Sequence, residues 1–170
     1  MSLFHMSVVE LRDRDMNDDR PQDRGSVSDL RIEVVNDASI EDWLYVHNRV
    51  IATAALTERE VRERLTGSLL TVAYVGNDVV GCATVRHRDD DGTMVVIVRV
   101  IPEYRRRGFG DKLFREAMGS ARILGGTAIE TVVLASNHDG LRFASAHGFD
   151  EIDRYVLPDG EDAYVSMRLV

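Results

Sequence analysis

The sequence predicts a single mixed α/β domain, and two observations support that prediction. β-branched apolar segments of strand length alternate with segments whose apolar residues repeat every three to four positions, the spacing of an amphipathic helix. Near the middle of the chain a strand, a glycine-containing loop and a helix follow one another without interruption. The predicted order is β-α-α-β-β-β-α-β-α-β-β, which gives about seven strands and about four helices.

The first half of this order consists of a strand, two helices and a hairpin. Ser39 stands before an apolar periodic segment as an N-cap, and Gly76-Asn77-Asp78 separates two β-branched runs as a hairpin turn. The predicted elements are a strand over 29–36, a helix from Ser39 through Ala54, a short helix from Thr57, and hairpin strands over 68–75 and 79–88.

The second half begins with the apolar run 94–101, which turn-forming residues bound on both sides and which therefore predicts a strand. Apolar residues from Leu113 to Leu124 then repeat at helical spacing until Gly125-Gly126 ends the pattern. The remaining predicted elements are a strand over 127–135, a short helix led by Asn137, and strands over 152–157 and 164–170.

Residues 1–28 differ in character from the rest of the chain. Charged side chains crowd the stretch from Glu10 to Arg24, and few apolar residues accompany them. A segment this polar cannot bury enough apolar surface to hold itself in place. We therefore divide the chain into a charged N-terminal arm, 1–28, and a folded domain, 29–170. We expect the arm to dock on the domain or on a second subunit, which makes a homodimer one expected outcome.

Composition and charge limit the classes of protein to consider. The chain has 170 residues and is 44% hydrophobic, so one domain can bury its core without crosslinks. No apolar run reaches the length of a membrane span or a signal peptide, and a soluble cytoplasmic protein is expected. Cys82 is the only cysteine and is expected in the core. The net charge of −8 argues against nucleic acid and suits a partner that carries an amine.

The most informative segment is the loop Arg105-Arg106-Arg107-Gly108-Phe109-Gly110, which joins the strand over 94–101 to the helix after it. The start of a helix presents unpaired backbone N–H groups and a partial positive charge, so a phosphate group can bind main chain there. Gly108 and Gly110 let the backbone approach a ligand closely. The loop therefore predicts a pyrophosphate site, although adjacent arginines also occur as an ordinary solvated charge run.

Two better-known phosphate loops fit this segment poorly. No Gly-Lys-Ser/Thr follows, as a P-loop requires, and the third glycine of a dinucleotide-binding fingerprint is missing. A coenzyme A loop remains. The segment from Val98 to Leu113 resembles the acetyl-CoA motif of the GNAT superfamily of N-acyltransferases, in which a strand ending Val-x-Pro-x-Tyr runs into Arg-x-x-Gly-x-Gly/Ala.

A second segment strengthens the resemblance. Residues 137–149 are similar to the short helix of the family that begins with Asn and closes in Gly-Phe, and the spacing between the two segments also fits. The resemblance covers about residues 29–170. It implies the GNAT fold, a central mixed and twisted sheet of about seven strands that splays between the fourth and fifth strands and is flanked by about four helices.

The resemblance also implies a cofactor site in which the pantetheine arm of acetyl-CoA lies between the splayed strands. Val98 and Val100 would bond the arm through main chain, and the Val100 N–H would also act in catalysis by binding the thioester oxygen. Asn137 and Phe143 would contact the arm from the other wall, although Phe143 could equally be a core residue. The pyrophosphate would bind the loop residues Arg105, Arg106, Arg107, Gly108, Phe109, Gly110 and Asp111.

The usual catalytic acid and base of the family are missing from this chain. Many members carry a Tyr where this chain has Ala144, and some carry a Glu where it has Val132. Glu130 lies on the same strand face as Val132, roughly 6 to 7 Å along it, and is predicted to act as the base through a water. A solvent-facing carboxylate at a strand edge is the alternative.

The resemblance places the acceptor near the first two helices and the last hairpin loop. This points to Tyr45, His47 and the acidic loop from Asp159 to Asp162, and His87 at the end of the first hairpin is a further candidate. Structural or solvated roles are the alternatives for both histidines. An acidic rim would suit a protonated amine, but a charged hairpin tip is also common.

These observations together predict an acetyl-CoA-dependent N-acetyltransferase that moves an acetyl group directly to a primary amine of a small molecule, peptide or protein. The competing prediction is a non-catalytic module that binds acyl-CoA, because Ala144 and Val132 replace the usual catalytic groups. No metal is expected, since His138 and His147 have no third ligand at metal spacing. No nucleic acid or membrane partner is expected either.

Overall fold

A computed structural model describes residues 25–88, 91–158 and 160–170. Within these ranges the chain forms seven strands, four α-helices and three short 3-10 turns. The helices are α1 (Ile40–Val50), α2 (Glu58–Arg64), α3 (Phe109–Ile123) and α4 (His138–Ala146). The strands are β1 (Leu30–Val34), β2 (Ser68–Val75), β3 (Asp78–His87), β4 (Thr93–Val100), β5 (Ala128–Leu134), β6 (Phe149–Val156) and β7 (Ala163–Leu169).

All seven strands belong to one mixed sheet in the order β1-β2-β3-β4-β5-β7-β6. Every neighbouring pair is antiparallel except β4 and β5, which are parallel and are connected through α3. This arrangement confirms the predicted fold class, the number of strands and the four flanking helices.

The parallel pair β4 and β5 is hydrogen-bonded over only three register positions. Thr93 to Val95 pair with Ala128 to Glu130, and the pairing ends there. The remainder of β4 continues to pair with β3, and the remainder of β5 continues to pair with β7. The two strands therefore separate towards their C-terminal ends, which is the predicted splay between the fourth and fifth strands.

Each face of the sheet is covered by helices. The larger core lies between the sheet and α3 and α4, where Phe109, Leu113 and Phe149 are almost completely buried. The smaller core lies under α1 and α2, where Trp43 is 1% exposed and donates from its indole N–H to the Ala83 carbonyl at 3.2 Å. Cys82 belongs to this second core, as the sequence predicts.

The structure has Ser39 and Thr57 as the N-caps of α1 and α2, as predicted, but only Thr57 caps its helix with a side-chain bond. Thr57 and Glu60 form a capping box at the start of α2. The Ser39 hydroxyl makes no capping bond to α1 and bonds Asn36 instead, and α1 ends at Val50 rather than at Ala54. None of the helices in the described ranges is long and apolar enough to span a membrane.

The end of the predicted arm contacts the domain. Lys112 of α3 donates to the Val27 and Leu30 carbonyls at 3.2 and 2.9 Å, and Arg107 donates to the Gly25 carbonyl at 2.8 Å. Residues 1–24 lie outside the described residues. The division at residue 28, docking on a second subunit and a homodimer stay predictions.

We expect Gly81→Ala to destabilise the fold, because a Cβ at this position would lie 2.7 Å from the Arg99 carbonyl of β4. The loss in free energy of unfolding should be about 1–3 kcal/mol, typical of an overpacked interior. Gly119→Ala is the control, since a Cβ there meets nothing within 4 Å and should raise helix stability by up to about 1 kcal/mol. Urea unfolding of both variants measures the difference. Equal stability of Gly81→Ala and the wild type would contradict this reading.

Candidate active site

The edge of β4 that faces the splay carries free main-chain groups. The Ile101 N–H donates to Val80 of β3 at 3.0 Å, and successive residues of a strand point their N–H groups to opposite sides. The N–H groups of Val98 and Val100 therefore point towards β5, beyond the last paired position, Val95. An extended ligand placed in this gap would find strand-like hydrogen-bond partners on β4.

The N-terminus of α3 lies directly beyond this edge. Gly108 is its N-cap, with a left-handed φ of 82° and no side chain to cap the helix. The Lys112 N–H makes the first helical bond, to the Gly108 carbonyl at 3.2 Å. The N–H groups of Phe109, Gly110 and Asp111 precede that bond and have no acceptor within the helix. They form a binding site suited to an anion.

The three arginines of the loop point in different directions. The Arg105 Nε donates to the Val100 carbonyl at 2.9 Å, and Arg107 lies over the rings of Tyr104 and Phe109 and donates to the Gly25 carbonyl. Arg106 is exposed and adopts a left-handed φ of 61°. Two of the arginines therefore hold the loop in place, and the contribution of all three to phosphate binding stays a prediction.

Helix α4 packs its side chains against the start of α3. A Cβ on Gly110 would lie 3.4 Å from the Phe143 ring. The His147 ring packs on Phe143, and its Nε2 bonds Asp111 at 2.8 Å. Asn137 caps α4 by accepting the Gly140 N–H at 3.0 Å. The Asn137 oxygen is therefore used within α4, which leaves its amide NH₂ as the group that can contact a ligand.

The family model for the acetyltransferase (GNAT) family matches residues 32–149 of the chain. This range includes β4, the glycine loop, α3, β5 and α4. The chain belongs to the GNAT acetyltransferase family. It is accordingly an N-acetyltransferase, a member of a family whose enzymes take acetyl groups from acetyl-CoA and act on amines. No curated protein matches the chain in sequence.

Solved structures show the same fold at low sequence identity. A proposed phosphinothricin N-acetyltransferase is 21% identical, with a TM-score of 0.72 over 82% of this chain and 97% of that one. The ribosomal-protein-S18-alanine N-acetyltransferase of Escherichia coli is 17% identical, with a TM-score of 0.68 over 82% and 92%. The proposed acetyltransferase yncA of Salmonella typhimurium, solved with its cofactor acetyl-CoA, is 20% identical, with a TM-score of 0.64 over 82% and 92%.

Glu130 occupies a different environment from the solvent-facing edge considered as its alternative role. Its side chain is buried, and Arg168 of β7 donates to Oε1 from Nε and Nη2 at 3.0 and 2.6 Å. Arg88 bonds the other carboxylate oxygen. Glu130 lies at the last paired position of β5, where the splay begins. The carboxylate thus accepts bonds from two arginines, and its catalytic role stays a prediction.

The structure places the three predicted acceptor residues in three different environments. His47 is buried on α1 and stacks on Trp43, with ring centroids 5.2 Å apart. Tyr45 is exposed and lines a shallow depression of about 580 Å³ on α1 and α2. His87 pairs with Met94 at the start of β4, about 20 Å along the strand from Val100. His87 therefore does not join the other residues at the splay.

Sequence reasoning missed Arg99, the one charged residue of the apolar strand β4 and its last residue but one. It lies between Val98 and Val100, so its side chain points to the opposite face, towards α1. Its Nε and Nη1 are buried without a hydrogen-bond partner. A charged residue in an otherwise apolar strand was the available signal. Among the described residues, no group of three or more His, Cys, Asp or Glu is arranged to hold a metal ion.

The electrostatic environment of His47 keeps its ring neutral. Burial and, after it, the charge of Arg99 lower the pKa of His47 from 6.5 to about 4, while the hydrogen bond to Asn48 opposes the shift. A neutral imidazole can accept or donate one hydrogen bond at each nitrogen but carries no charge to attract an anion. His47 thus presents a polar but uncharged ring beside Arg99.

We expect the depressed pKa of His47 to make the fold sensitive to acid. The unfolded state takes up the proton near pH 6.5 and the folded state only near pH 4, so stability is complete above 6.5 and falls as the pH drops towards 4. Relative to His47→Gln, wild type should therefore lose about 2–3 kcal/mol of unfolding free energy as the pH falls over that range. Denaturant titrations at several pH values measure it. A difference independent of pH would show that His47 titrates normally.

Proposed function

We propose that this enzyme transfers the acetyl group of acetyl-CoA to a primary amine of a small molecule, peptide or protein, directly and within a ternary complex. The pantetheine arm lies in the gap between β4 and β5, bonded to Val98 and Val100. The pyrophosphate lies on the N–H groups at the start of α3. The amine approaches from the α1 side of the sheet.

One observation carries this proposal: a strand edge with free N–H groups leads directly into a helix start with free N–H groups. The Arg105 Nε occupies the Val100 carbonyl, so the Val100 N–H is the group that Val100 still offers to a ligand. That N–H would bind the thioester oxygen, on which negative charge develops as the amine attacks. The attack forms the new C–N bond and releases the CoA thiolate, and the amine gives up a proton.

The chain handles that proton without the groups found in many relatives. Ala144 is buried and carries no titratable atom, and Val132 is apolar. Positioning of the two reactants and the oxyanion contact then supply most of the rate enhancement. Glu130 contributes modestly, through a water that replaces one of its arginine contacts.

Thiol release from acetyl-CoA across a panel of amines tests the proposal. Release that depends on the acceptor supports it. The competing hypothesis of a non-catalytic acyl-CoA-binding module rests on Ala144 and Val132, and it requires coenzyme A binding with no acceptor-dependent release. A cytoplasmic location and a homodimer remain predictions that the assay does not address.

We predict that acetyl-CoA binds the loop mainly through backbone N–H groups. Gly108→Val should weaken binding at least tenfold, because a side chain at a φ of 82° strains the loop that presents these groups. Arg106→Ala should weaken it less, because that side chain is exposed. Gly125→Val is the control, since Gly125 also has a left-handed φ but lies beyond the other end of α3. Calorimetric titration compares the variants.

Two results would contradict this binding mode. Loss of affinity only in the Arg106 variant would mean that side-chain charge binds the phosphates. Equal loss in the Gly125 and Gly108 variants would mean that general destabilisation, rather than the loop, lowers the affinity.

We predict that Glu130→Gln lowers kcat/KM modestly at neutral pH and less at high pH, where the amine is already neutral. The loss should stay below the about 10²- to 10⁴-fold that a well-placed general base supplies. A pH–rate profile of wild type and variant with one accepted amine measures it. A loss of several hundredfold that persists at high pH would contradict the water-mediated role, and no change at any pH would remove Glu130 from the mechanism.

A further inference from the structure

On the proposed acceptor side of the splay, the Arg99 guanidinium is hydrogen-bonded to the Cys82 thiol and is paired with no carboxylate among the described residues. The Nε and Nη1 atoms have no hydrogen-bond partner among the described residues, although they are shielded from solvent. Burial lowers the pKa of Arg99, yet a guanidinium remains protonated in proteins. Because burying an unpaired charge is costly, an unsatisfied guanidinium of this kind indicates a missing anion.

The groups that face Arg99 do not supply that anion. The Cys82 thiol is opposite it on β3, and burial raises the pKa of this thiol to about 11, so it is neutral. His47 of α1 is neutral for the reason given above. Tyr164 of β7 is close enough to raise the pKa of Arg99, but a phenol is uncharged at neutral pH.

A second arginine acts on both Arg99 and His47. Arg64 at the end of α2 lowers the pKa of Arg99, His47 and Arg86 alike, so all three lie within its field. The buried carboxylate nearby, Glu130, is already bonded to two arginines. This local environment is positive and disfavours an acceptor that is only cationic, and the acidic rim at Asp159 to Asp162 stays a prediction.

The position of Arg99 relates this charge to the reaction. Arg99 is the residue between Val98 and Val100, the two predicted main-chain partners of the thioester arm. Its side chain leaves the strand on the α1 side, the side from which the amine is proposed to approach. A small acceptor that presents its amine to the thioester would therefore bring any substituent on the neighbouring carbon close to the guanidinium.

We propose that Arg99 binds a carboxylate of the acceptor, and that the acceptor is a small amine bearing a carboxylate close to its amino group, such as an amino acid. A carboxylate accepts charge-assisted bonds from guanidinium N–H groups, and the unpaired Nε and Nη1 donors of Arg99 can each supply one, which fixes the position of the amine. This inference rests on the proposed acetyl transfer and specifies its acceptor.

The test compares the common L-amino acids with their carboxamides, and with simple neutral amines, by thiol release from acetyl-CoA. Wild type should prefer the acid to its amide by about 10- to 100-fold in kcat/KM, the size expected of a charge-assisted contact. The amine of an amino-acid amide loses its proton more easily than the amine of the acid, so reactivity alone would favour the amide. A preference for the acid therefore indicates binding of its carboxylate. Arg99→Met should remove the preference, mainly by raising KM for the acid, and leave the amide rate nearly unchanged.

Arg59→Met is the matched control, because it removes an exposed arginine of α2 that pairs only with Glu63. It should keep the preference for the acid. Arg99→Met should fold and melt at the same temperature as wild type or higher, since it replaces an unpaired buried charge by an apolar side chain. If that variant fails to fold, the comparison of acids with amides on wild type still decides the inference.

Four results would overturn the inference while leaving acetyl transfer intact. Wild type could turn over the amides as fast as the acids or faster, or it could accept only the neutral amines. Arg99→Met could lower kcat/KM equally for acid and amide. Finally, the Arg99 variant could differ from wild type only when succinyl-CoA replaces acetyl-CoA. The last would assign the carboxylate to the acyl group instead.

If no amine causes thiol release from acetyl-CoA, the proposed acetyl transfer fails, and the role of Arg99 has to be tested without turnover. Calorimetric binding of N-acetyl amino acids and their amides, with coenzyme A saturating, then decides the role of Arg99. Tighter binding of the acids to wild type, but not to Arg99→Met, would support the carboxylate site. Equal binding of acids and amides would refute it.

Discussion

The short pairing of β4 with β5 is the constraint on which the site depends. Three register positions tie the two strands together, and antiparallel partners on their outer sides hold each strand firmly as they separate. The gap therefore has rigid walls, and no β4–β5 pairing crosses it beyond Val95 and Glu130 in the described part of the chain. A gap bordered by free peptide groups would be a liability in an ordinary sheet, because unpaired strand edges invite association. In this protein the gap between β4 and β5 provides a site in which an extended ligand can hydrogen-bond to the strand edges.

The sheet and its helices were largely predictable because local patterns determine them. The β-branched run of β4, the glycines that follow it and the helical spacing from Leu113 each specify one element without reference to the rest of the chain. Family resemblance supplied the splay, which no local pattern encodes. The end of α1 was predicted four residues too late, since apolar residues continue to Ala54 through a 3-10 turn that the helical period does not distinguish.

The chemistry of the site was less predictable because it depends on contacts between distant segments. Glu130 could be placed on its strand, but its bonds to Arg88 and Arg168 join residues about 40 positions apart and reverse the expectation of an exposed carboxylate. Arg99 was passed over for a related reason. The Nε and Nη1 atoms of its side chain lack hydrogen-bond partners, and this can be recognised only from the positions of the neighbouring residues. Net charge was a poor guide too, since a chain of −8 places Arg64 close enough to Arg86 and Arg99 to lower the pKa of both.

The contacts of Arg107 and Lys112 with the carbonyls of residues 25 to 30 bear on where this domain can be shortened. A boundary after residue 28 looks natural from composition, yet a chain cut there would lack the acceptors at Gly25 and Val27. Arg107 would lose its bond to Gly25 and Lys112 would keep only its bond to Leu30, so both cations beside the glycine loop would be drawn more strongly to any phosphate that binds it. A truncated enzyme would then differ from the full chain at its cofactor loop, so kinetic work on a trimmed domain would describe an altered enzyme unless the cut falls before residue 25.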